Sequence, residues 1–299
     1  MAAIDQNLIA ICRTIYGTAL QTNKTLDLPF ELVTNTTLNE LFNVQSGVSP
    51  NPNQMPAMKY LAIGNRGHTF STAEDGSAET VPLAHRATDA ACFNHIPFVL
   101  RETNNDLTAD KRDRYALRVE EVHNGRNYFA YYLRRLDLSQ VVTQLQRVTV
   151  ENGIVTTTPF QPTNDNLHPT PPNVSNTGTV LGSSTYETAS AVVTIELDAE
   201  DIQEILNAHV VRTGRTTTSP VLSELALCSG VDKAVQGSSA SGGTFTYNEA
   251  IAVQVNVFVS TMHPVGYSTD GATITLDVGG VEPHLGEEDV NNATFLNGA

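Results

Sequence analysis

Histidine and carboxylate side chains are the first candidates for chemistry in this sequence. His68, His85 and His95 lie within twenty-eight residues of one another, and Asp75 and Asp89 fall between them. Imidazole and carboxylate groups bind zinc and related metals, so convergence of these residues would create the site of a metal-dependent hydrolase. Their spacing matches no helical metal-binding pair, and separate surface or packing roles are favoured over metal ligation.

Other reactive pairs are also incomplete. Cys92 and His95 could touch on a helix, but no third residue completes a nucleophilic site. Glu120 and Glu121 are adjacent and would point to opposite faces of a strand, and the acidic run 287–289 is typical of a solvated tail. P-loop, GxGxxG, HExxH, GxSxG and EF-hand patterns are absent from the sequence. We therefore predict no catalytic residue, no metal, no cofactor and no enzymatic activity.

The densest group of aromatic and basic residues surrounds Asn124-Gly125. This dipeptide separates two β-rich runs, Tyr115–Val122 and Asn127–Leu136. Asparagine and glycine both accept positive φ, so a two-residue loop here predicts a tight hairpin. Four of the nineteen tyrosines and phenylalanines lie in 128–133, and nine of the seventeen lysines and arginines lie in 101–147.

These two runs together, residues 115–136, form an aromatic and basic ribbon. Such a ribbon could bind either of two kinds of partner. Single-stranded nucleic acid stacks on aromatic platforms, whereas protein interfaces are enriched in tyrosine and arginine. Acidic residues interleave with the arginines and the chain carries a formal charge of −15, so a protein interface is favoured. The predicted contact residues are Arg118, Arg126, Tyr128, Tyr131, Tyr132 and Arg134.

The remaining patterns predict an α+β fold dominated by strands, with antiparallel hairpins, sandwich-like lobes and a few short helices. A second Asn-Gly pair at 152–153 predicts another hairpin close to the first, and hence a β-meander. Alternating apolar residues predict a half-buried strand over 251–259. Helical spacing predicts a helix from Asp5 to Gly17 and another over 198–209, the latter capped by Asp198.

Two lobes are predicted from the distribution of turn-forming residues. The range 159–184 contains five prolines and reads as a linker or long loop. We therefore expect an N-terminal lobe over 1–158, with its helix packed on that lobe or on a neighbouring subunit, and a C-terminal β-rich lobe over 185–299 that ends in a polar tail.

Composition limits the class of protein and its partners. The range 148–299 carries three basic and seventeen acidic residues, so it should repel nucleic acid. The three cysteines show no CxxC spacing, which favours buried thiols over disulfides or structural zinc. Neither a secretion signal nor a membrane-spanning apolar run is expected.

Several stretches resemble virion structural proteins of contractile-tailed bacteriophages, of the neck and collar or baseplate type. The resemblance covers about 58–135 and 190–260, and it is carried by MKYLAIGNRGH (58–68), HRATDAACFNHIPFVLRETNNDLTADKRDRYALR (85–118), LSELALCSGVDK (222–233) and TYNEAIAVQVNVF (246–258).

This resemblance implies a subunit made and assembled in the host cytoplasm. There it would join a homo-oligomeric ring with other virion proteins, most plainly at the neck or collar. Sequence-specific nucleic-acid binding and membrane contact are not expected, although DNA passing through an acidic channel is a hypothesis that fits the charge. Two other readings stay open: a carbohydrate- or surface-binding β-module with an aromatic groove, and the metal-dependent hydrolase.

Overall fold

The protein has a β-dominated fold with few short helices, which confirms the predicted fold class. The structure, a computed structural model, describes residues 10–72, 76–151, 153–169, 185–216, 220–238, 244–266 and 271–282. Its strands are β1 (Ala10–Arg13), β2 (Ala57–Gly64), β3 (His68–Thr72), β4 (Ala78–Pro82), β5 (His95–Ile96), β6 (Val99–Glu102), β7 (Tyr115–His123), β8 (Arg126–Arg135), β9 (Thr143–Glu151), β10 (Ile154–Pro159), β11 (Thr185–Leu197), β12 (Val221–Ser238), β13 (Thr244–Pro264), β14 (Ala272–Asp277) and β15 (Gly280–Glu282). Its α-helices are α1 (Ile15–Thr25), α2 (Leu38–Phe42), α3 (Ala109–Arg112) and α4 (Ala199–Thr213). No helix in these ranges is long and apolar enough to cross a membrane.

The strands form three sheets. The eight-stranded sheet has the order β1-β13-β12-β2-β8-β6, with β5 also paired to β2 and β7 to β8. The five-stranded sheet has the order β10-β9-β11-β14, with β15 also on β11, and β3 and β4 form a separate pair. The core cluster lies on the first sheet and includes Tyr60, Leu117, Leu133, Val253 and Phe258.

The division into units differs from the predicted lobes. One unit comprises Met1–Asp137 and Ile195–Ile274, and the other comprises Leu138–Thr194 and Thr275–Ala299. The prediction was wrong because β12 and β13, which were assigned to the C-terminal lobe, lie between β1 and β2 in the first sheet. Of the predicted linker, 170–184 lies outside the described residues, as does the polar tail from 283 onward.

Both Asn-Gly hairpins are present, but they do not form the predicted meander. In the first, Asn124 and Gly125 have φ values of 52° and 75°, and His123 pairs with Arg126. The second joins β9 to β10 with Gly153 at φ 79°, while residue 152 lies outside the described ranges. The hairpins belong to different sheets, because the chain leaves the first sheet after β8.

The predicted N-terminal helix is wrong in its position. Ala10–Arg13 is the edge strand β1, and residues 5–9 lie outside the described part of the chain. Thr14 caps α1 by accepting a hydrogen bond from the Gly17 amide at 3.1 Å, and its hydroxyl donates to the Val255 carbonyl at 2.6 Å. The pairing of Ala10–Arg13 with β13 therefore outweighs the helical spacing of the apolar residues in this segment. Gly17 is therefore in the helix rather than at its end.

The strand predicted over 251–259 lies within β13, but it is buried on both faces. Gln254 and Asn256, on the face predicted to be solvated, are only 4% and 8% exposed. Gln254 donates to the Thr36 hydroxyl at 2.6 Å, and the Val253 amide donates to the side chain of Asn39 at 2.9 Å. Polar side chains that precede and begin α2 thus cover this face. The helix predicted over 198–209 is confirmed and extends to Thr213.

Candidate subunit interface and buried polar clusters

The tyrosines of the predicted interface lie in the protein core. Tyr128, Tyr131 and Tyr132 are 7%, 1% and 3% exposed. The Tyr131 hydroxyl donates to Asp106 at 2.7 Å, and the Tyr132 hydroxyl donates to Glu121. Burial, together with these hydrogen bonds, raises the pKa of both phenols. Side chains that already pack inside the subunit cannot bind a neighbour, so this part of the interface prediction is wrong.

The arginines of that prediction are also mostly occupied within the subunit. Arg118 pairs with Asp106 at 3.1 Å and stacks over Phe129, while Arg134 pairs with the buried Asp201 at 3.1 Å. Only Arg126 is largely exposed, with a surface ion pair to Glu102. The ribbon therefore organises the inside of its own unit. Its tyrosines and arginines meet carboxylates from other elements.

One such carboxylate is Asp201, at the start of α4. It accepts hydrogen bonds from the Tyr115 hydroxyl at 2.6 Å and from Arg114, besides its pair with Arg134. Asp201 and Asp198 also form a reciprocal capping box at the N-terminus of α4. Partial burial opposes ionisation of Asp198, but the Asp201 amide and Arg114 outweigh it, so the pKa of that carboxyl lies below its usual range. These residues, the Asp201 cluster, fix α4 to the ribbon.

A second cluster is built on Glu224 of β12. Its carboxylate lies 3.0 Å from the Nε2 atom of His85 and accepts the backbone amides of Phe93 at 2.6 Å and Arg66 at 2.9 Å. The Nδ1 atom of His85 lies 3.1 Å from Asp89. Burial opposes ionisation of Glu224, yet His85 and the two amides hold the pKa of its carboxyl below the usual range. We call these groups the Glu224 cluster.

The Glu224 cluster has no room for a substrate. The His85 ring stacks between Phe93 and Phe258, with ring centroids 4.0 Å and 3.8 Å away, and its side chain is 1% exposed. A Cβ atom at Gly67 would overlap the Ser223 carbonyl oxygen, which shows how closely the neighbouring loop approaches β12. The geometry is that of a carboxylate holding two loop segments on a sheet.

The three histidines do not share one site. His68 is on β3, whereas the His95 Nε2 atom accepts the Cys92 backbone amide at 3.0 Å. Across the described ranges, no group of three or more histidine, cysteine, aspartate or glutamate side chains is arranged to hold a metal ion. Burial raises the pKa of the Cys92 thiol well above its usual value, and this disfavours the reactive thiolate that the Cys92–His95 pair would need.

The burial of His95 makes stability depend on pH. Burial lowers the pKa of His95 from 6.5 to about 4, so between these values the unfolded chain binds a proton that the folded chain does not. We expect this residue to cost about 3 kcal/mol of unfolding free energy as pH falls from 7 to 4. Urea denaturation at several pH values will measure it. In the control, His95→Gln, which keeps an acceptor for the Cys92 amide, the pH slope should be shallower. Identical slopes would contradict this assignment.

Exposed aliphatic residues occur in each unit. In the first unit they include Leu26, Leu28 and Val33, which lie in the segment that follows α1. In the second unit they include Ile154 and Val155 of the β9–β10 hairpin, which are 68% and 61% exposed. Contiguous exposed apolar surface is a mark of interaction sites.

The sequence analysis did not identify the carboxylates of Glu224 and Asp201 as organising residues, although the sequence contained a signal for Glu224. Glu224 interrupts the apolar run LSELALC, and a charge inside a buried strand demands partners. Asp201 was predicted only to lie within the helix over 198–209, and nothing in the sequence indicates its distant arginine partners.

Comparison with known proteins places the chain in a protein family. No curated protein and no solved structure is similar to the chain. A family model matches residues 1–293. Since this range covers nearly the whole sequence, the chain belongs to the family described as "Family of unknown function (DUF7208)".

Proposed function

We propose that this protein is a structural, non-enzymatic subunit of a tailed-phage virion that assembles with itself, most plainly as a ring at the neck or collar. A baseplate or other tail position is the alternative. The observation that carries the proposal is the β9–β10 hairpin, an edge of the second sheet whose aliphatic side chains are exposed. An edge strand offers unpaired backbone groups that pair readily with another chain, and this edge also exposes aliphatic side chains, so it is suited to bind a partner.

The hydrogen bonds and ion pairs inside the first unit also favour a structural role. Tyrosine and arginine groups that could bind a ligand instead satisfy carboxylates of the same unit, as Tyr115 and Arg134 do with Asp201. A carbohydrate-binding module would need its tyrosines on the surface, and Tyr128, Tyr131 and Tyr132 are buried. The resemblance to contractile-tail virion proteins supplies the phage context of the proposal.

Self-association is the direct test. Size-exclusion chromatography with light scattering should give a mass that is a multiple of the 32.2 kDa chain, and electron microscopy should show closed particles. A 32.2 kDa monomer at every concentration tested would contradict assembly with itself. The virion assignment has its own test, because mass spectrometry of purified particles from a phage encoding this chain should detect it. Its absence from the particles would contradict that assignment.

Passage of DNA through the ring, without binding, is part of the same proposal. An acidic ring would let DNA pass without binding it, since like charges repel. The seventeen acidic and three basic residues of 148–299 supply this charge.

A further inference from the structure

Strand β10 presents an unpaired backbone edge. Among the described strands it pairs only with β9, from Ile154 opposite Glu151 to Pro159 opposite Gln146. Just beyond it, the Phe160 amide donates to the Leu145 carbonyl on β9 at 2.9 Å. Hydrogen bonding alternates along an antiparallel strand, so even-numbered residues direct their backbone groups to β9. Val155 and Thr157 therefore direct theirs away from the sheet.

Apart from Pro159 at its end, this edge lacks the usual protection against pairing. Residues 153–164 contain no charged side chain, and all six side chains of β10 are exposed. Strand β7, which among the described strands also pairs on one side only, carries Arg118, Glu120 and Glu121. Soluble proteins commonly place charges on edge strands to prevent association. The contrast between charged β7 and uncharged β10 indicates that the edge of β10 is a site for pairing with another chain.

We propose that β10 pairs antiparallel with β10 of a second copy, about a two-fold axis at Thr156. The alternation allows only registers in which outward-facing residues meet outward-facing residues, and the register centred on Thr156 also leaves Pro159, which has no amide hydrogen, outside the paired residues 154–158. Val155 then lies opposite Thr157 of the second copy, and each exchanges backbone hydrogen bonds with the other. Thr156 lies opposite Thr156, and Ile154 opposite Thr158. This inference rests on the proposed self-association and names its contact.

Charge explains why the partner is a second copy. Each copy carries a formal charge of −15, so two copies repel each other least where neither presents charge. The β10 edge satisfies this condition, and the proposed register places threonine against threonine and aliphatic against threonine, which are favourable cross-strand pairs. Pro159 has no amide hydrogen and limits the pairing at each end.

Disulfide trapping in the full-length protein tests the register. Cys12 is replaced by serine because it is only partly buried, whereas Cys92 and Cys228 are buried. Adding Thr156→Cys places two thiols at the two-fold axis, where Cα atoms of a non-hydrogen-bonded pair are about 4.5 Å apart and a disulfide can form. Mild oxidation should convert most of the protein into a linked dimer on a non-reducing gel.

Thr158→Cys in the same Cys12→Ser background is the matched control. Thr158 is on the same strand and the same face, and is also exposed, but its two copies would be about 13 Å apart along the strands, beyond disulfide reach. Linkage should therefore be at least about tenfold less. Equal linkage at both positions would indicate random collision and contradict the register.

Thr157→Pro tests the hydrogen bonding itself. It removes only an outward-facing amide, which an edge strand tolerates, so circular dichroism should be unchanged while linkage through Thr156→Cys is lost. Retained linkage would contradict the pairing. Light scattering of the unmodified protein separates the two proposals. An oligomer that gives no linkage at Thr156 overturns the β10 contact and leaves self-association intact, whereas a monomer overturns both.

Discussion

Replacing Glu224 with alanine should destabilise the protein by about 3–5 kcal/mol, because a buried ionic network loses its central acceptor. The variant would leave the His85 Nε2 atom and the amides of Phe93 and Arg66 without the carboxylate they contact. Each buried group left unsatisfied costs about 1–3 kcal/mol. Urea denaturation at neutral pH, followed by circular dichroism, will measure the change.

Two further variants show whether the network causes this loss. Glu224→Gln keeps an acceptor oxygen but removes the charge, so its unfolding free energy should lie between those of wild type and Glu224→Ala. Glu120→Ala removes an exposed carboxylate and should change stability by less than about 0.5 kcal/mol. If Glu224→Ala were as stable as Glu120→Ala, the Glu224 cluster would have no structural role.

Replacing Asp201 with alanine should have an effect of similar size, about 3–5 kcal/mol, by leaving Arg134 without its buried counterion. The Tyr115 hydroxyl would lose its acceptor as well. Stability should be measured by chemical denaturation, with hydrogen exchange reporting whether α4 opens first. Because Asp201 joins α4 to the ribbon, we expect increased exchange along that helix.

The capping box supplies a matched control for Asp201. Asp198→Ala removes the other half of the box and should cost only about 1 kcal/mol, the usual value of an N-cap. Replacing both Asp201 with alanine and Arg134 with methionine should restore part of the stability, since the unpaired buried charge is then gone. Equal losses for Asp201→Ala and Asp198→Ala would show that Asp201 acts as a cap alone.

Local patterns predicted the local structure well. The Asn124-Gly125 turn, the Asp198 cap and the second hairpin depend on residues close in sequence, whose backbone preferences are nearly independent of the rest of the fold. The N-terminal helix failed because β13 offered Ala10–Arg13 a strand partner more than 240 residues away. Periodicity over a few turns cannot detect such a partner.

The candidate site could not be predicted because burial is a long-range property. Tyrosine and arginine are typical of interfaces, and the ribbon shows that they are equally able to satisfy carboxylates inside a subunit. Asp106 and Asp201 meet Tyr131 and Arg134 only after the chain has folded. The candidate interface on β10 was visible in the sequence as a hairpin, but not as an edge.

The discontinuous first unit has a consequence for synthesis on the ribosome. Strand β2 can pair with its neighbour β12 only after Val221 has been translated, and one segment of the second unit, Leu138–Thr194, is translated between Gly64 and Val221. At about 5–20 residues per second, this delay is on the order of ten seconds. During it, the backbone edge of β2 that pairs with β12 has no strand partner. Truncation before β12 should leave a chain that needs chaperone protection, whereas β9 and β10 of the inserted segment can pair as they emerge.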